Sequence, residues 1–200
     1  MNRFYKTISV VLHPIMVPTI GVLLYLLIIP NSYTSKQKTV LLALIFVTSY
    51  LLPLLILILF KKLNLINNFK TKGIKERKVP VALMIIVFYL LGNTIENNIK
   101  MTDISLLFYT SSIALTFVYL CLAYQLKVSI HLLSLGISTG FFMLIGFIYN
   151  YSLPIVVIVN ILLAGIVANA RLHLKMHQPK EVYLGFLSGL IAPFVVYNFL

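Results

Sequence analysis

The sequence predicts an all-α fold, a polytopic transmembrane helical bundle with six or seven spanning segments, on three observations. Hydrophobic residues make up 60% of the chain and charged residues only 10%, whereas a water-soluble domain carries about 25% charged residues. Apolar runs recur from one end of the 200 residues to the other, and about 20 apolar residues are what a helix needs to cross the hydrocarbon core. The runs are continuous rather than alternating, so helices are preferred over the strands of a barrel. With a mean hydropathy of +1.02, one membrane-embedded domain over 1–200 is expected, without an appended module.

The first run, Ile8 to Ile29, follows Arg3 and Lys6 and imitates a secretory signal. It is too long for one, lacks a small-residue cleavage site and ends in Pro30-Asn31-Ser32. A retained helix is expected, distorted at Pro14 and Pro18. Val40–Phe60 reads as the second segment. The third, Val79–Asn93, has a short apolar core before Asn93, Thr94, Glu96, Asn97 and Asn98, which predicts a tilted or partly interfacial helix. Ile104–Leu126, Ile130–Tyr149, Leu153–Ala170 and Val182–Leu200 complete the series. Cys121, the only cysteine, lies inside the fourth run and reads as packing.

Sixteen Lys and Arg stand against four acids, Glu76, Glu96, Asp103 and Glu181, for a net charge of +12. The bases sit in short caps between apolar runs instead of along one soluble face. That argues against nucleic acid as a partner and for membrane lipids, with anionic head groups or phosphate bound at the caps. Basic flanks also orient membrane helices. If every segment spans, the loops on the N-terminal face hold 13 Lys and Arg and those on the other face hold 3. This places the N-terminal face in the cytoplasm of a cell (inner) membrane protein.

The remaining polar residues gather in three of these caps. The second-to-third connection holds Lys70, Arg77 and Pro80, the fourth-to-fifth Lys127, Ser129 and His131, and the sixth-to-seventh Arg171, His177 and Glu181. Two crossings separate each from the next, so all three emerge on one face. His177 and Glu181 are four apart, which on a helix puts them on one side. A carboxylate there accepts the N–H of one imidazole nitrogen and leaves the other as nucleophile or base. Arg171 offers a planar fork of donors suited to phosphate, and Pro179 suits the first turn of the last helix. Read singly, these residues are also what snorkelling bases and helix caps look like. His13, before Pro14, falls on the same face and reads as a structural helix-end histidine.

Together, the motifs K-x6-R with a following Pro, S-x-H, and R-x5-H-x3-acid resemble those of the phosphatidic acid phosphatase type 2 superfamily, the membrane lipid phosphate phosphatases. The matching stretch runs from Lys70 to Glu181, in a core of about 70–190. Val128 and Ile130 flank Ser129 where that family has Pro and Gly, and Ala170 and Glu181 replace Ser and Asp. The resemblance implies hydrolysis of a lipid phosphate or isoprenoid pyrophosphate, with His177 attacking phosphorus to form a phosphohistidine that Glu181 orients. His131 would protonate the leaving oxygen, and Lys70, Arg77, Ser129 and Arg171 would hold the phosphoryl oxygens. It implies no metal and no cofactor.

Two readings from other classes compete. His173, His177 and Glu181 repeat at four-residue spacing, and with His131 they could ligate zinc in a membrane hydrolase. Arg171, Lys175, Lys180 and Lys127 would crowd such a cation. A magnesium-dependent transferase would need clustered carboxylates, which four scattered acids do not supply. The other reading is a non-catalytic lipid-binding or scaffold protein.

Overall fold

The chain begins with an amphipathic helix, α1 (Asn2–Val11), and breaks over His13–Met16 before α2 (Val17–Ile28). The computed structural model describes residues 2–63 and 73–199. The expected single first helix is therefore two. Pro14 and Pro18 explain this, since proline cannot donate to the preceding turn and disfavours α-helix at the residue before it. Phe4, Val10 and Val11 of α1 are 66%, 69% and 60% exposed. An amphipathic helix with its apolar residues uncovered beside Arg3 and Lys6 suits the membrane interface.

Next come α3 (Ser35–Phe46), a π-helical segment over Val47–Leu51, and α4 (Leu52–Lys62), which together form one rod. Thr34 caps its start, its Oγ1 accepting the Gln37 N–H at 3.3 Å while Gln37 Oε1 accepts the Thr34 N–H at 2.8 Å. α5 (Ile74–Thr94) continues through a second π-helical segment to Ile99, so the third segment is a full-length rod and not a short interfacial one. The polar residues Asn93–Asn98 stay helical because their side chains bond back onto the preceding turn: Asn97 Nδ2 donates to the Asn93 carbonyl at 2.9 Å and Asn98 Nδ2 to that of Thr94 at 3.2 Å. α6 (Thr102–Ala123), α7 (Ile130–Tyr149), α8 (Pro154–His173) and α9 (Pro179–Tyr197) follow.

Six of these helical rods are long and apolar enough to cross a membrane, and no strand occurs among the described residues. Many apolar side chains face outward, Ile155 of α8 at 76% exposure and Leu162 at 61% among them. Exposed apolar bands of this kind belong in lipid. The protein is an all-α membrane protein.

α2 spans about 18 Å at 1.5 Å per residue, too short to cross alone. Its two flanks nevertheless touch opposite ends of α7. His13 packs its ring against that of His131 in the first turn of α7, and Tyr25 shares the Asp103 carboxylate with Tyr149 in the last.

α7 packs most extensively on α9, and the two run in the same direction with α8 returning between them. Their contact is backbone on backbone. A Cβ on Gly140 would lie 2.2 Å from the Leu190 carbonyl oxygen, and one on Gly189 would lie 2.3 Å from that of Leu133. Small residues four apart on both helices, Gly136 with Gly140 and Gly185 with Gly189, make this approach possible. The Ser129 N–H donates to the Glu181 carbonyl at 3.0 Å and locks the two starting ends together. α6 completes the core, holding α5 through Ser112 Oγ, which donates to the Ile85 carbonyl at 2.9 Å.

Candidate active site

The α7–α9 seam fixes the separation of the two predicted histidines, because His131 and Glu181 each lie in the first turn of one of these helices. His177 arrives through a tight reversal after α8. Lys175 adopts φ 51°, and the N–H groups of Met176 and Lys175 bond the carbonyls of Arg171 at 3.1 Å and Leu172 at 2.9 Å. This is a Schellman closure, and it folds His177 back over Arg171. Pro179 then opens α9.

His177 Nδ1 lies 2.7 Å from Glu181 Oε2, and the same oxygen accepts the Gln178 N–H at 3.3 Å. Because a carboxylate only accepts, Nδ1 carries the proton and Nε2 keeps its lone pair. The His177 ring is buried, and burial first, then the charges of Arg171 and Arg77, push it down to about 4 although the Glu181 bond pulls the other way. It is neutral at pH 7. A neutral imidazole with an oriented tautomer is the form in which histidine is a nucleophile.

Arg77 enters the site from the first turns of α5, where its charge and that of Glu181 act on one another. Arg171 is 8% exposed; its Nη1 donates to Ser9 Oγ at 2.9 Å, and its Nε has no partner among the described residues. His131 Nε2 donates to the Ser9 carbonyl at 3.2 Å. The charge of Arg171 reaches His131, and His13 and His177 are near enough to add to it whenever they are protonated.

These groups line one end of a cavity of about 720 Å³. Its mouth holds Lys6, Ser9, His13, Arg77, His131, Arg171 and His177, with no carboxylate among the described lining residues. Below the mouth the walls are mostly apolar, with Met84 and Phe88 of α5, Leu107 and Leu115 of α6, and Phe141 and Phe142 of α7, interrupted by the hydroxyls of Ser49, Ser111, Ser134 and Ser138. From His131 to Phe142 along α7 is about 16 Å, half the thickness of the hydrocarbon core. An electropositive mouth over an apolar shaft is complementary to an amphiphile with an anionic head.

Of the residues singled out in the sequence, Arg77, His131, Arg171 and His177 meet at this cavity, with Glu181 directly behind His177. Lys70 lies outside the described residues. Ser129 is fully buried beside Gly185, away from the described cavity wall, and its Oγ has no partner among the described residues. The zinc reading needs His173, whose ring instead packs on Tyr5 with centroids 4.2 Å apart. No group of three or more His, Cys, Asp or Glu among the described residues is placed to hold a metal ion.

Two further participants come from α1 and the break after it. Ser9 gives the site its carbonyl and its hydroxyl, and His13 stands against His131. His13 had a signal in its position before Pro14 on the right face. Ser9 had none, since nothing in a run of apolar residues marks one serine as a second partner for both an Arg and a His. Compared with known proteins, the chain matches no family model, no curated protein and no solved structure.

Proposed function

We propose that this protein is a membrane lipid phosphate phosphatase, of the phosphatidic acid phosphatase type 2 kind, that works through a phosphohistidine on His177. The observation that carries this reading is His177, in the wall of a cavity with cations at its mouth and apolar side chains below, backed by Glu181 at 2.7 Å. Metal-free phosphoryl transfer needs a nucleophile, a proton donor and fixed positive charge, and little else from the protein.

In the first step His177 Nε2 attacks phosphorus, a P–N bond forms, and the ester P–O bond breaks with its electrons going to the lipid oxygen. His131, protonated beside the bound phosphate, gives that oxygen a proton and the lipid alcohol leaves. In the second step water attacks phosphorus, its proton passes to His131, and the P–N electrons return to Nε2 as inorganic phosphate departs. Glu181 stabilises the positive charge that His177 acquires in between. Arg77 and Arg171 hold the phosphoryl oxygens, with Lys70 of the first motif as a third cation. The apolar shaft takes one hydrocarbon chain, acyl or isoprenoid, while the head stays at the mouth. The positive-inside count assigns this mouth to the cytoplasmic face of a cell membrane.

The test is phosphate release by the purified protein from phosphatidic acid, phosphatidylglycerol phosphate and an isoprenoid pyrophosphate, with and without EDTA. His177→Ala and His131→Ala should each reduce release to background in a folded protein, since nucleophile and proton donor act as a unit. Glu181→Gln should cost about tenfold to a thousandfold. Near-normal release by His177→Ala, or activity lost on chelation and restored by zinc, overturns the reading.

A further inference from the structure

At the opposite end of the bundle, where α2 and α7 finish and α6 starts, lies a second pocket of about 530 Å³. At its centre is Asp103. Oδ2 accepts the hydroxyls of Tyr25 at 2.5 Å and Tyr149 at 2.9 Å. Oδ1 has no partner among the described residues, and no described cation lies within ion-pair distance of the carboxylate.

A second acceptor in the pocket is also unmet. Asn31 spends both N–H donors of its amide on the carbonyls of Ile29 at 2.7 Å and Leu26 at 3.2 Å, which fixes its orientation and leaves Oδ1 buried and without a partner. A buried amide oxygen left in this state is costly unless a donor from outside fills it. The remaining wall is aromatic. Tyr33 is near enough to feel the Asp103 charge, and the rings of Tyr149 and Tyr151 stand nearly parallel, with centroids 6.4 Å apart.

We propose that this pocket binds the head group of an amino-phospholipid, a primary ammonium linked to a phosphate diester. Three N–H donors of the ammonium match the two open oxygens of Asp103 and Asn31, and the tyrosine rings supply the face that an organic cation prefers. The phosphate falls to Lys100, which lines the same pocket and carries its one other charge among the described residues. One acid and one base in an aromatic pocket match a zwitterion better than they match an anion. Tyrosines at this depth also form the ordinary interfacial girdle of membrane helices. A girdle accounts for the rings but not for a carboxylate and an amide held with acceptors open.

The test uses the full chain in detergent, with lipid binding followed by native mass spectrometry. Phosphatidylethanolamine should bind about tenfold more tightly than phosphatidylglycerol, the margin of a charge-assisted bond. Affinity should fall stepwise along the mono-, di- and trimethylated head groups as N–H donors are removed. Asp103→Asn and Tyr151→Leu should each erase the preference, and phosphate release from the distant cavity should be unchanged in Tyr151→Leu. Should Asp103→Asn fail to fold, the methylation series on the unmodified protein decides alone. Displacement by soluble phosphoethanolamine would mean that the head group suffices, and failure to displace would mean that the lipid is needed. Equal binding of the ethanolamine and glycerol lipids, or affinity that rises with methylation, overturns the proposal.

Discussion

His13 and His131 stand edge to face with ring centroids 5.1 Å apart, though 118 positions separate them in the chain. His13 Nδ1 accepts the Ile15 N–H at 3.4 Å, so its proton is on Nε2. Burial, then the charge of Arg171, lowers its affinity for a second proton. On the proposed function, a neutral ring there would position His131 without competing for the phosphate. His13→Ala should reduce phosphate release by about a hundredfold or less, the scale of a misplaced catalytic group. His13→Phe, which keeps the edge contact, should recover part of that loss, and equal activity of both variants with the unmodified protein would dismiss the role.

The His177 ring sets the acid side of the pH profile. Its folded value of about 4 lies below the ordinary 6.5, so the nucleophile is neutral above about pH 4 and is lost by protonation below it. kcat/KM should therefore hold down to about pH 4 and then fall. In Glu181→Gln the negative charge that favours the protonated ring is gone, so the acid limb should move to lower pH while the maximum drops. The same shift bears on stability. The unfolded chain takes up this proton first, so the contribution of His177 is complete above pH 6.5 and is lost as pH falls toward about 4. An acid limb that moves upward in Glu181→Gln would contradict this assignment.

The α7–α9 seam offers a mutation far from the chemistry. Gly140→Ala places a Cβ at 2.2 Å from a carbonyl oxygen, and the helices must part to admit it. A stability loss of about 1–3 kcal/mol is expected from such overpacking, together with reduced phosphate release as His131 and His177 separate. Gly165→Ala on α8 is the control, because nothing lies within 4 Å of its added Cβ. Thermal unfolding of the two variants in detergent separates seam from surface.

The membrane face of the site is open to direct labelling. Ser35 and Lys180 are both exposed and lie at opposite ends of the bundle. In a Cys121→Ser background, a cysteine at 35 should react with an impermeant maleimide on intact cells and one at 180 should react only after lysis. The reverse pattern would put the cavity mouth outside.

The helices were legible because lipid leaves the backbone few choices. The third segment was underestimated for the same reason that it is useful. Arg77 and Asn93–Asn98 looked like flanks, yet hydrogen bonding within the helix keeps the asparagines inside a rod that carries Arg77 to the site. His177 and Glu181 were legible as a pair since four-residue spacing fixes their geometry. Ser9 was not, because its role comes from where Pro14 breaks the chain and how α1 then docks on α8. Ser129 shows the opposite case, a motif residue that close packing against Gly185 turns away from the described wall.

The cavity has one stiff side and one compliant side. Along α7 it is backed by the glycine seam, where any widening breaks backbone contact. Facing that seam, Pro14, Pro18, Pro53 and Pro80 all border the same space, and Ser49 there belongs to a π-helical segment. Pro53 and Pro80 each remove a hydrogen bond from a rod, Pro14 and Pro18 sit at the break between α1 and α2, and a π-segment widens the turn. On the proposed function, a hydrocarbon chain sliding in from the bilayer would therefore meet least resistance on the α2, α4 and α5 flank. The rigid jaw that carries the histidines would then not have to open for the lipid to enter.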